Sequence, residues 1–142
     1  MTHSELQILT ERLRSAWLRR DPAALAACHH PDGVIISPLF ATARGRAAIE
    51  ASYAALFTTF PDLEITVEAT VAAPPSVASF ETLRGTHMHE FLGHPPTNKR
   101  IEISLARLMR VENGLIIQQR VIFEFTGLLV QVGVLRAKPA KP

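Results

Sequence analysis

The sequence predicts an α+β domain in which one curved antiparallel sheet is covered by N-terminal helices. Two observations carry that prediction. Apolar residues recur at helical spacing up to Phe60 and with a period of two from Leu63 onward. Between them, Pro61-Asp62 breaks the last helix, so helices come first and strands afterwards.

Each element has its own local justification. Ser4 is the expected N-cap of a first helix, and Leu6, Leu9, Leu13, Ala16 and Trp17 give it one apolar stripe. In "RRDPAALAACHHPDG", Asp21 caps a short second helix and Pro22 suits its first position, while Pro31-Asp32-Gly33 reads as a turn. "VIIS" is a short buried strand stopped by Pro38. A third helix starts near Gly45 and shows Ile49, Tyr53, Leu56, Phe57 and Phe60 on one side. "LEITVEATVA", "SVASFETLRGTHMHEF", "RIEISLARLMRV" and "LIIQQRVIFEF" are then strands, with Glu112-Asn113-Gly114 as the turn of the last hairpin.

Composition narrows the function classes. With 142 residues, 47% hydrophobic and 20% charged, the chain suits one domain, expected over 1–136, followed by a disordered "AKPAKP" tail over 137–142. The 15 basic and 13 acidic residues are spread along the chain, so neither nucleic acid nor a membrane surface is an expected partner. Cys28 is the single cysteine, better read as an apolar filler than as a reactive thiol, and it excludes an internal disulfide framework. A soluble cytoplasmic protein is expected, since no apolar stretch reaches the roughly 20 residues of a membrane span.

The informative stretch is "RVIFEFTGLLVQVG", residues 120–133, where Glu124 stands between two phenylalanines. An unpaired buried charge costs several kcal/mol, so Glu124 reads either as an acid/base group in a pocket or as a salt-bridged structural residue. Strand alternation puts Gln118, Arg120, Ile122 and Glu124 on one face, with Ile117, Gln119, Val121, Phe123 and Phe125 on the other. A curved sheet sealed by helices leaves a cavity, and the first set is expected to line it, although periodicity alone equally allows a solvated face. Val121, Phe123 and Phe125 would then lie on the open side and be hidden by self-association, giving a homodimer. His87 and His89, two apart in "GTHMHEF", would share a strand face, but a pair supplies too few ligands for a metal site and none is expected. His29 and His30 precede the turn and are read as solvated.

Several of these stretches resemble, in order, the SnoaL-like polyketide and ester cyclases, which share an α+β cone with ketosteroid isomerase and nuclear transport factor two. They are Trp17 and Asp21, "DGVIISP", "GRAAIEASY", Phe60-Pro61-Asp62-Leu63, "GTHMHEFLGHPPTNKR", "RVENGLI" and "GLLVQVG". The resemblance implies a cofactor-free and metal-free enzyme that moves a proton beside a carbonyl, in aldol ring closure, isomerisation or dehydration. Three residues before the closing Gly-Leu-Leu such cyclases usually carry an aspartate; Glu124 holds that place here. Gln118 stands where a glutamate is common, and Arg120 where a bulky ring is common. By resemblance His87 occupies the Gly-Thr-His position.

The site so assembled has Glu124 as base and His87 as the second catalytic group, stabilising an enolate together with Arg120. Gln118, His89, Tyr53, Trp17 and Ile122 complete a pocket for an apolar or carbonyl-containing ligand. Two further readings stay open: a binding module that has kept the cavity and lost the reaction, and an interaction domain that uses its outer sheet face.

Overall fold

The computed structural model describes residues 2–39 and 41–136. The tail expected over 137–142 lies outside the described residues. In chain order the elements are α1 (His3–Leu18), α2 (Pro22–Ala27), β1 (His29–Ile36), β2 (Ala43–Arg44), α3 (Arg46–Thr59), β3 (Glu64–Ala73), β4 (Ser76–Thr86), β5 (Arg100–Glu112), β6 (Leu115–Phe123) and α4 (Phe125–Gln131). The strands form one sheet in the order β2-β1-β6-β5-β4-β3. Every neighbouring pair is antiparallel except β1 and β6, which run parallel. That pair departs from the all-antiparallel expectation, and the long connection through α3 and four strands gives room for the crossover it needs.

Local chemistry accounts for most boundaries. α1 starts two residues earlier than expected: Thr2, not Ser4, is the N-cap, its hydroxyl accepting from Glu5 N at 3.1 Å while Glu5 Oε2 accepts from Thr2 N at 2.7 Å. This reciprocal capping box satisfies two otherwise orphaned donors. Asp21 caps α2 as anticipated, accepting from Ala24 N at 3.0 Å, with Pro22 in the first turn. Pro31-Asp32-Gly33 is not a turn between elements. It lies inside β1, where the register with β6 shifts between His29 and Val34. Gly33 fits because a Cβ there would meet His30 O at 2.9 Å and Ile116 O at 3.0 Å. The last hairpin turns at Asn113 and Gly114, both left-handed at φ 51° and 74°.

One face of the sheet is buried under the helices. Leu25, Ile49, Tyr53, Phe57, Phe60, Leu83, Ile101 and Leu105 form its main core, and Leu9, Cys28, Val77, Met109, Val111 and Ile116 a second cluster. The burial of β6 reverses the expected orientation. Val121, Phe123 and Phe125 pack against the main core and are not available to an open face. Apolar residues on the other side are Phe80, Leu108 and Ile122, joined by Val71 of β3. The chain after Phe123 is a second departure, since it leaves the strand and forms α4. Among the described residues no helix is long and apolar enough to cross a membrane.

Candidate functional site

Between the helices and the buried sheet face is a cavity of about 90 Å³. Most of its wall is apolar, from residues such as Leu56, Ile103, Leu105 and Val121, but Trp17, Tyr53, Arg107 and Gln119 also line it. Arg107 comes from the inner phase of β5, and Glu81 from the inner phase of β4. Arg107 pairs in register with Ser79 and Glu81 with Leu105, so the two charges are diagonal neighbours across the ladder. They meet: Arg107 Nε donates to Glu81 Oε2 at 2.7 Å, and the Ser79 hydroxyl donates to the same oxygen at 2.7 Å. Arg107 is only 8% exposed and Glu81 5%. The guanidinium also lies 5.8 Å from the centre of the Trp17 ring, which meets Tyr53 edge-on at 5.6 Å. Gln119 Nε2 donates to the Tyr53 hydroxyl at 3.3 Å.

The protonation states follow from these neighbours. Burial opposes the charge of Arg107, but Glu81 and then Tyr53 outweigh it and hold the guanidinium above its ordinary pKa. Burial pushes the Tyr53 phenol up, so its hydroxyl is a neutral donor and acceptor at physiological pH. His29, expected to be solvated, is wholly buried beside Tyr53, with ring centres 6.3 Å apart. Its Nδ1 lies 2.9 Å from Leu25 O, which makes Nδ1 the protonated nitrogen and leaves Nε2 a bare acceptor. Burial lowers its pKa further than the nearby carbonyls and the Gln119 amide raise it, so the ring is neutral.

Of the residues singled out by sequence, Tyr53 and Trp17 are brought together in this cavity. Gln118, Arg120, Ile122 and Glu124 are not: all four are exposed, and Ile122 is 62% accessible. Alternation along β6 is as expected and the choice of face is reversed. Val121 and Phe123 are half-buried, so each contributes part of the roughly 1.5–3 kcal/mol of a fully buried side chain, whereas turning Arg120 and Glu124 inward unpaired would cost several kcal/mol. Glu124 is the N-cap of α4, accepting from Thr126 N at 3.1 Å, and so is neither a pocket base nor a buried ion-pair partner. His87 is buried but does not line the cavity; it sits between Phe60 and Phe91, each 6.1 Å away between ring centres, with Nδ1 3.0 Å from Thr97 Oγ1. His89 is exposed. The two histidines do not share a strand face, because β4 ends at Thr86.

Arg107, Glu81, Ser79 and Gln119 are the site residues that sequence reasoning passes over. A signal exists for the charged pair: Glu81 alternates with Val77 and Leu83, and Arg107 with Leu105 and Met109, so each is a charge in an apolar phase. Among the described residues no group of three or more His, Cys, Asp or Glu is placed to hold a metal ion. A broader hollow of about 830 Å³ lies on the outside of α1 and α2, beside Gln7, Glu11 and Arg12. Arg12 and Glu11 are solvated there, and Cys28 at its edge is buried, donating to Ala24 O at 3.4 Å with its thiol pushed up by burial. The smaller cavity, with the buried Arg107 on its wall, is the functional candidate.

Residues 7–132 match the SnoaL-like polyketide cyclase family model. The chain belongs to that family. No curated protein matches this SnoaL-like chain. Among solved structures it is similar to TsrD from Streptomyces laurentii, at 27% identity and TM-score 0.82 over 95% of this chain and 99% of that one. AclR from Streptomyces galilaeus, a candidate hydroxylase, aligns at 27% identity and TM-score 0.82 over 97% and 87%. IdmH from Streptomyces antibioticus, a candidate polyketide cyclase, aligns at 29% identity and TM-score 0.74 over 89% and 97%. More distant matches with ketosteroid isomerase-like and NTF2-like folds agree on the architecture alone.

Proposed function

We propose that this SnoaL-like chain is a cofactor-independent enzyme that promotes proton transfer beside the carbonyl of a polyketide-type small molecule held in the cone. The observation that carries this reading is buried Arg107, ion-paired with Glu81 and lining an otherwise largely apolar cavity together with Tyr53 and Gln119. A charge that develops on a carbonyl oxygen there meets donors already in place, in a setting drier than water, where they act more strongly. Tyr53 and Arg107 are the groups that would stabilise an enolate. Glu81 is the carboxylate tied to Arg107 outside the lining itself, and proton abstraction falls to it once a ligand draws on Arg107 and the wall moves.

One observation favours a second reading, a binding protein without turnover. The place where such cyclases usually carry their proton-moving aspartate is held by Glu124, which caps α4 outside the cavity. Hydrogen–deuterium exchange separates the two. Followed by NMR in D₂O, a β-diketone that binds the protein is expected to lose its α-protons faster than in buffer. Tyr53→Phe is expected to slow that exchange about tenfold or more. Binding with exchange no faster than in buffer supports the binding protein, and failure of every β-dicarbonyl to bind removes both readings.

A further inference from the structure

We infer that the floor of this cavity is a seat for a two-oxygen anion, a carboxylate or an enolised 1,3-dicarbonyl, received by Arg107 and Tyr53. This rests on the cone being the ligand site and adds what the ligand must carry. Arg107 is more than nine-tenths buried and lines the cavity, yet its hydrogen bond to Glu81 uses Nε alone. Apart from the neighbouring Tyr53 hydroxyl, its two terminal amino groups have no hydrogen-bond partner among the described residues. Guanidinium donors that face a cavity without an acceptor of opposite charge are rare in a buried setting. The terminal amino groups of a guanidinium form a planar fork whose geometry matches the two oxygens of a planar anion.

The surroundings select the same chemistry. Glu81 Oε2 is taken by Arg107 Nε and by Ser79, so the carboxylate holds the guanidinium in place by its Nε edge and leaves the far end open. Tyr53 adjoins that guanidinium and favours its charge; its hydroxyl accepts from Gln119 and keeps its own proton to donate. Trp17 closes the other side. Size sets a further limit. At about 90 Å³ the cavity is smaller than the roughly 150 Å³ that encloses benzene, and well below the 300–1,000 Å³ of ordinary ligand pockets. It therefore takes a compact anionic head, with any larger body of the ligand outside or admitted by movement of the wall.

Calorimetric titration of the full chain with propanoate, acetylacetone in its enolate form and methyl propanoate tests this. Propanoate or the enolate is expected to bind at least tenfold more tightly than the neutral ester, and Tyr53→Phe to weaken the anions about tenfold and the ester by less. A single Arg107 variant would strand Glu81 and unfold the chain, so the paired variant Glu81→Gln with Arg107→Gln is used; it is expected to lose the preference for anions. Preference for propanoate over the enolate identifies a carboxylate ligand, and the reverse an enolised one. If the ester binds as tightly as both anions, or if the paired variant keeps the preference, the anion seat is wrong although the cone still holds a ligand. If none of the three binds while larger β-diketones do, the seat is likewise wrong; if no ligand of any kind enters, the proposed function fails with it.

Discussion

Glu81 and Glu124 are both glutamates between apolar neighbours in sequence, and they end in opposite environments. Glu81 goes inward because a partner waits on the next strand: Arg107 and Ser79 both donate to it, so its charge is compensated where it is buried. Glu124 has no such partner and instead spends its carboxylate on the first turn of α4. The consequences for stability differ accordingly. Glu81→Ala is expected to cost about 3–5 kcal/mol by stranding Arg107, and Glu124→Ala only about 0.5–1 kcal/mol through the lost cap; urea denaturation of the two variants checks the ranking. His29 and His87 make a pH prediction. Burial lowers both pKa values in the folded state, so the unfolded chain binds protons that the folded chain refuses. Their contribution is therefore present above the unfolded value of about 6.5 and is lost as pH falls below it. Urea midpoints should fall between about pH 7.5 and pH 5.5, and His29→Leu should flatten that slope. A slope that His29→Leu leaves unchanged would show that this ring does not carry the effect.

At the scale of elements, the motifs that identify the family are joints between segments. In Phe60-Pro61-Asp62-Leu63, Asp62 accepts from Thr86 N and from Thr86 Oγ1, both at 2.7 Å. Gly85 lets the two segments close, since a Cβ there would meet Phe60 Cβ and Leu63 Cδ1 at 3.2 Å. His87 then ties Gly-Thr-His to the Pro-Pro-Thr loop through Thr97, and its backbone exchanges bonds with Asn98 and Lys99 at 2.9 Å. Asp62→Ala is expected to lower stability by about 2–3 kcal/mol and to leave the residues of the cavity floor in place, which thermal melts and ligand titration together would verify. These joints explain why the fold was legible from sequence while the site was not. Helix α3, the β3–β6 run and the Asn113-Gly114 hairpin are written in local periodicity and turn chemistry. α4 is not, because Phe125, Leu128 and Leu129 continue the apolar run of β6 with no breaker at Glu124. Nor is the inner face of β6: alternation separates Gln118 from Gln119, but only the packing of Val121 and Phe123 under the helices decides which one is buried. Arg107 and Glu81 were readable one at a time as charges in apolar phases; that they meet depends on the register of β4 with β5.

For the whole molecule, the outer face of the sheet has consequences of its own. Cross-strand rows place Phe80 beside Ala106 and Ala106 beside Ile122, with Ala78 beside Leu108 in the next row, so the exposed apolar residues adjoin one another. Phe80 is 57% exposed and Leu108 50%, an arrangement that suits a self-complementary contact between two copies of the chain. Sedimentation at micromolar concentration is expected to show a dimer that Ile122→Lys converts to monomer. A monomeric wild type would rule that contact out. The inner face carries the central claim, that ligand enters the cone and meets the floor built by Tyr53 and Arg107. Trp17 reports on it without ambiguity, because it is the single tryptophan of the chain and lines the cavity against Tyr53 and Arg107. The most direct measurement is the indole N–H signal of Trp17 in a proton–nitrogen NMR spectrum, followed as a β-diketone is added. Saturable movement of that signal, shared by the Gln119 side-chain amide and absent from Gln118 on the opposite face, is the predicted result. Saturable binding that shifts Gln118 while Trp17 and Gln119 stay still would place the ligand on the outer face and contradict the account.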